Sequence, residues 1–151
     1  MTGETPLRAP ETAALPGSIE LVTLAGVSVA AGERHRVDGG PFGDRLLAAI
    51  SDGRWDGERV AGRIVGAGGD WARPAPGGVM LLDVRQVLET DDGATSYVAY
   101  QGRCDRSRGT YTVAPTFETT DEHYTWLNAV QAVGKARMRS GRLEYEMFEV
   151  R

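Results

Sequence analysis

The chain has 151 residues, the length of one domain able to bury a core without disulfide or metal staples. Its formal charge of -4, with basic residues spread along the chain, argues against nucleic acid, which needs a dense basic face. Cys104 is the only cysteine, which excludes an intrachain disulfide and a cysteine-built zinc site.

Twenty glycines against seven prolines point to many tight turns and bulges, as in an all-β chain. Residues 1–17 are rich in Pro, Thr, Ala and Glu and read as a flexible tail, leaving 18–151 as the domain. This start has no apolar signal-peptide core, and no apolar run could cross a bilayer as a helix, so a cytoplasmic, membrane-free protein is expected. Ile19 to Val29 is a β-branched strand, and Gly32 to Val37 turns and continues it. Pro41 to Ile50 reads equally as a short helix or an extra strand. Arg59 to Gly66 alternates and carries two glycines, the pattern of a bent strand. Val79 to Glu89 and Ala94 to Gly102 flank the hairpin signal Asp91-Asp92-Gly93. Gly109 to Thr119 is a further strand, and Glu122 to Asn128 one helical turn. Val130 to Met138 and Leu143 to Val150 close a hairpin at Ser140-Gly141. Short strands at this spacing indicate a sandwich or a barrel.

The alternation gives each strand one apolar and one mixed face. In the strand from Val79 to Glu89, Met80, Leu82, Val84 and Leu88 share one side, and Leu81, Asp83, Arg85 and Val87 the other. A mixed face either meets solvent or lines a polar lumen. Placed polar groups inside an apolar shell suit the second option, with Arg85 pointing inward and Asp70-Trp71 at the edge of the lumen.

Five segments in order carry a family resemblance. They are Gly32-Glu33-Arg34, Gly68-Gly69-Asp70-Trp71, Thr90 to Ala94, Phe117 to Asn128, and Val133 to Val150. Together they resemble the bacterial domain of unknown function 3237, also called uncharacterised protein family 0311. The stretch Gly39 to Ala49 looks longer than is usual there, and the Gly-Gly-Asp-Trp loop lacks a residue many members carry. The resemblance implies a single antiparallel calycin-like, lipocalin-like β-barrel with a lumen, often a homodimer. It implies no general activity, although some members lie in degradation or specialised-metabolite pathways.

The candidate site follows from residue chemistry. Asp70 would be an acid or base, and Trp71 an apolar wall beside it, on a loop that two glycines let approach a ligand. Their bland role is a turn cap and a barrel plug. Asp83 and Arg85 face the same way and would pair, with Arg85 holding a carboxylate, enolate or phenolate; otherwise they form a structural ion pair. Tyr124 and Asn128, with Tyr97, would position substrate or donate to a developing oxyanion, with Trp126 as a second wall; otherwise this segment caps the barrel. Glu118 and Glu144 would act as lumen carboxyls, or as an exposed acidic face. His35 and His123 are too few for a three-histidine metal site, and no phosphate loop, dinucleotide fingerprint or nucleophile elbow occurs. No metal and no cofactor are therefore expected.

The expected function is a cofactor-independent enzyme with Asp70, Arg85 and Tyr124 as its catalytic set. It would bind a small, partly apolar molecule and drive an isomerisation, cyclisation, dehydration or lyase step. The alternatives are a non-catalytic small-molecule carrier or sensor, and an interaction module whose barrel its own side chains fill.

Overall fold

A computed structural model describes residues 17–151. The expected tail lies outside this range, apart from its last residue. Ten strands follow in chain order: β1 (Leu21–Ala30), β2 (Arg34–Val37), β3 (Arg45–Ala49), β4 (Gly53–Asp56), β5 (Gly62–Pro74), β6 (Val79–Thr90), β7 (Thr95–Asp105), β8 (Thr110–Glu118), β9 (Ala132–Arg139) and β10 (Arg142–Val150). The only helical pieces among the described residues are 3-10 turns at Pro76–Gly78 and Thr125–Ala129.

Eight of the strands close a ring. β6 to β10 pair in sequence, β10 pairs with β1, β1 with β4, β4 with β5, and β5 returns to β6. Every pairing is antiparallel. Closure leaves these eight strands no free edge, which an all-β chain must otherwise protect. The fold is the expected barrel. The other two strands ride on it, β3 along the second half of β5 and β2 along β3. The segment that read as helix or strand is thus β3. β4 alternates between buried and exposed residues but is only four residues long, and the sequence reading does not contain it.

Turn chemistry fixes the hairpins. Ser140 (φ 47°) and Gly141 (φ 78°) both adopt left-handed backbone, the two-residue turn that matches strand twist. At the β6–β7 turn the Ala94 amide donates to Thr90 Oγ1 at 2.8 Å. Beyond Phe117 the chain crosses one end of the barrel through the Thr125–Ala129 turn, and Leu127 from that turn is fully buried. With Trp55, Leu88, Val98 and Phe117 it fills this half of the interior.

Alternation also settles which face is inside. On β6, Leu82, Val84, Gln86, Leu88 and Thr90 are buried, whereas Arg85 is exposed. The apolar faces point inward and the mixed faces meet solvent. An inward Arg85 is therefore corrected: one register step separates it from the lumen, because adjacent strand residues take opposite sides.

The glycine-rich segment needs a second correction. Gly68 to Trp71 is not a loop but the middle of β5. Its register shifts between Val65 and Gly69, so residues 66–68 oppose Gln86 alone. Gly66 sits at φ 65°. A Cβ on Gly68 would stand 2.9 Å from the Arg85 carbonyl oxygen and 3.0 Å from that of Ile50. The glycines thus have a structural purpose: they let a β-bulge form and let three backbones meet closely.

Candidate active site

The half of the barrel opposite the Leu127 plug holds a cavity of about 120 Å³. It lies at the end carrying the β5–β6, β7–β8 and β9–β10 turns, and the β2–β3 hairpin covers one side. Leu46, Ile50, Ala72, Met80, Val84 and Leu143 supply its apolar wall. Its polar groups are Asp70, Tyr111, Tyr145 and, at the rim, Arg34.

Asp70 is the carboxyl of this cavity. The bulge just before it sets its register opposite Val84, so it shares Val84's inward phase. The Asp83 backbone N–H donates to Asp70 Oδ1 at 3.0 Å. Burial raises the Asp70 pKa above the usual carboxylate range; the Asp83 amide bond opposes this, and the Asp83 charge adds to it. Burial wins because the carboxylate loses water and gains one amide donor rather than a cation.

Three tyrosines and the cysteine surround that carboxyl. Tyr100 is the β7 partner of Val84, and Tyr111 pairs across to Cys104 on one side and Ala136 on the other. Ala136 in turn pairs with Tyr145. The rings of Tyr100 and Tyr145 meet edge to face, centroids 6.3 Å apart. Burial pushes Tyr100, Tyr111, Tyr145 and Cys104 above their ordinary pKa values, and the Asp70 charge pushes all four the same way. These hydroxyls therefore stay protonated, able to donate to an oxygen that becomes negative. Arg34 is close enough to Tyr111 to oppose its shift.

Most of the expected site residues lie elsewhere. Trp71 is 44% exposed on the outer face, where the Arg85 guanidinium stacks 5.4 Å from its ring. Arg85 also pairs with Asp83 at 3.4 Å on the same surface, the structural ion pair that was the bland option. Tyr97 lies on this outer face too. At the plugged end, the Tyr124 hydroxyl donates to Asp92 at 2.9 Å. Asn128 accepts from the Thr119 amide at 2.8 Å and donates to its carbonyl at 2.9 Å, so it ties down the cap. Trp126 stacks under Arg59 at 4.7 Å. Glu118 and Glu144 are exposed on outer strand faces. Of the expected set, Asp70 alone reaches the cavity.

The residues that sequence reasoning passed over are Arg34, Tyr100, Tyr111 and Tyr145. The signal was present, because each tyrosine shares an alternation phase with buried neighbours such as Val98, Val113 and Met147. His35 and His123 are exposed, each beside a carboxylate of its own segment, Glu33 at 3.2 Å and Asp121 at 3.4 Å. Among the described residues, no helix is long and apolar enough to cross a membrane.

The comparisons with known proteins agree with this architecture. The protein of unknown function family (DUF3237) matches residues 19–150. A UPF0311 protein of Rhodopseudomonas palustris (strain TIE-1) is 27% identical over 124 residues, covering 72% of this chain and 81% of the relative. A beta-barrel like protein from Acinetobacter baumannii superposes with a TM-score of 0.81 at 26% identity, over 92% of this chain and 100% of that one. An enzyme from Penicillium herquei superposes with a TM-score of 0.69 at 22% identity, over 91% of this chain and 99% of that one, a likeness of fold alone. With all but the first 18 residues and the last matched to the family, this chain is a member of the DUF3237 family.

Proposed function

We propose that the protein is a cofactor-independent acid–base enzyme acting on a small, partly apolar molecule held in the lumen. The observation that carries this reading is the single carboxyl, Asp70, placed in a cavity whose burial raises its pKa. A carboxyl tuned this way exchanges protons closer to neutral pH than an ordinary aspartate does. Tyr111 and Tyr145 donate to negative charge that develops on the substrate, and Arg34 at the rim holds a substrate anion. The role first given to Arg85 passes to Arg34. The apolar wall favours a ring or branched chain over a sugar-like molecule.

The reaction class that fits is proton transfer at carbon beside a carbonyl, the first half of an isomerisation, cyclisation or elimination. Asp70 as carboxylate takes the proton, the electron pair moves onto the carbonyl oxygen, and the tyrosine hydroxyls steady that oxygen. Returning the proton at another atom completes an isomerisation.

An isotope-exchange experiment tests this. 4-Acetylbenzoate offers an anion for Arg34 and an enolisable methyl ketone of single-ring size. In deuterium oxide, the protein is expected to speed methyl deuteration as read by mass spectrometry. Asp70→Asn is expected to remove about a hundredfold or more of that rate. Equal exchange by the two proteins, or none above the buffer rate, contradicts the enzyme reading. Binding without exchange supports the carrier instead.

A further inference from the structure

Along β9, every second residue enters the barrel. Ala132 and Ala136 are 0% and 2% exposed, and Gly134 between them is buried as well. Met138 continues the same inward phase and lines the cavity, yet it is 43% exposed. An inward side chain that is open to water marks the place where the lumen meets solvent.

The strand pairing locates that mouth. Met138 pairs with Leu143 across the last hairpin, and Val29 pairs with Leu143 from the other side. The mouth therefore lies where the ends of β1, β9 and β10 come together. The other exposed residues of the lining are Ala31, Arg34 and Ala49. Two of these are short and the third is charged, so Met138 supplies the one long apolar side chain of the exposed rim. Of the other described methionines, Met80 is only partly buried but packs against the core, and Met147 is 1% exposed. Met138 is thus the described methionine that a solute reaches first.

We propose that Met138 is an oxidation-sensitive gate on the lumen: as a thioether it closes over the ring of a bound ligand, and as a sulfoxide it shuts that ligand out. This rests on the lumen being the binding site. Methionine is unbranched and flexible, and its polarisable sulfur packs well against aromatic rings. It can swing aside to admit a ring and then lie against it. The cavity volume of about 120 Å³ is near that of an engineered cavity, ~150 Å³, that holds one benzene, so a single ring fills it up to the gate. The oxidant is a peroxide. The Met138 sulfur attacks one oxygen of hydrogen peroxide, the O–O bond breaks, and hydroxide leaves. The hydroxide takes the proton from the new S–O group and ends as water, while the sulfur has lost two electrons. The sulfoxide is polar, and closing it over an apolar ring would bury its oxygen without a partner.

Calorimetric titration of the full chain with 4-acetylbenzoate, before and after dilute hydrogen peroxide, tests the gate. Peptide mass mapping identifies which methionines have gained oxygen. In wild type Met138 is expected to be oxidised ahead of Met80 and Met147, with affinity falling about tenfold. Methionine sulfoxide reductases acting on both epimers should restore it. Met138→Leu keeps Cys104 and every other methionine, and its affinity is expected to be the same before and after peroxide. Met138→Gln, which carries a polar end without any oxidant, is expected to bind about tenfold weaker than wild type and gives the reading should Met138→Leu fail to fold. Unchanged affinity with Met138 fully oxidised, or an equal loss in Met138→Leu, overturns the gate and leaves the lumen site standing. Oxidation of Met80 or Met147 before Met138 overturns it too. Failure of untreated wild type to bind the probe overturns the gate and the lumen site together.

Discussion

Asp70 and Arg85 are fifteen positions apart in sequence yet face each other's strands as near neighbours, because Gly69 pairs with Arg85 and Asp70 with Val84. One residue of phase decides that Asp70 enters the cavity and Arg85 meets solvent. Arg85→Ala is therefore expected to leave lumen binding of 4-acetylbenzoate unchanged in calorimetry. It should cost stability no more than about 1 kcal/mol, the usual range for an exposed ion pair. Arg34→Ala is expected to weaken the same binding about tenfold, since it removes the cation at the rim. Asp70 also ties stability to pH. The folded state holds its proton more tightly than the unfolded chain does, so its contribution is most favourable below the ordinary aspartate range. That contribution is lost as pH rises from there to the raised value, and the loss is complete above it. Asp70→Asn has no such proton to lose. Its urea midpoint relative to wild type should rise through that window and then stay level. A difference independent of pH would show that the Asp70 pKa is not raised. Residue chemistry made Asp70 legible, since an acid beside two glycines and a tryptophan invited attention. Tyr111 and Tyr145, which line the cavity, and Tyr100, opposite Val84, were not, because a tyrosine among valines reads as core.

At the scale of elements, the strands with strong turns at both ends were readable, and those without were not. β6 and β7 announce themselves through Thr90 to Ala94, and β9 and β10 through Ser140-Gly141. β4 is only four residues long, Gly53–Asp56, too short for alternation to register, although its Trp55 is fully buried. β5 was cut short for a physical reason: Gly66 to Gly69 look like a break, yet antiparallel pairing continues across them through a bulge. That bulge adds two residues, so β5 keeps its phase, with Ile64 before it and Asp70 and Ala72 after it facing inward, and Asp70 is set opposite Val84. Gly68→Ala is expected to destabilise the fold by about 2 kcal/mol or more, because the added carbon would crowd the backbone carbonyl oxygens of Arg85 and Ile50. It should also disturb the cavity, a loss of 4-acetylbenzoate binding that calorimetry would detect. Gly66→Ala, strained only by its φ of 65°, should cost about 1 kcal/mol. Chemical denaturation of both variants checks the order.

At the scale of the molecule, the barrel is divided in two. One half is packed solid by Trp55, Leu88, Phe117 and Leu127, and the other is left hollow around Asp70. The family resemblance made the barrel legible; the division was not, because it depends on which inward side chains from distant strands share a rung. Leu127→Ala is expected to cost about 2–5 kcal/mol by opening the plug, while leaving the hollow half and its Asp70 in place. The central claim is that the hollow half raises the affinity of Asp70 for its proton. A carbon-13 NMR titration of the aspartate carboxyls, with the Asp70 signal assigned from Asp70→Asn, measures this without a substrate. The expected midpoint for Asp70 lies above the ordinary aspartate value of about 3.9, while Asp91, held by the Arg54 guanidinium, titrates below it. A midpoint for Asp70 at or below the ordinary value would contradict the claim, and the acid–base reading would go with it.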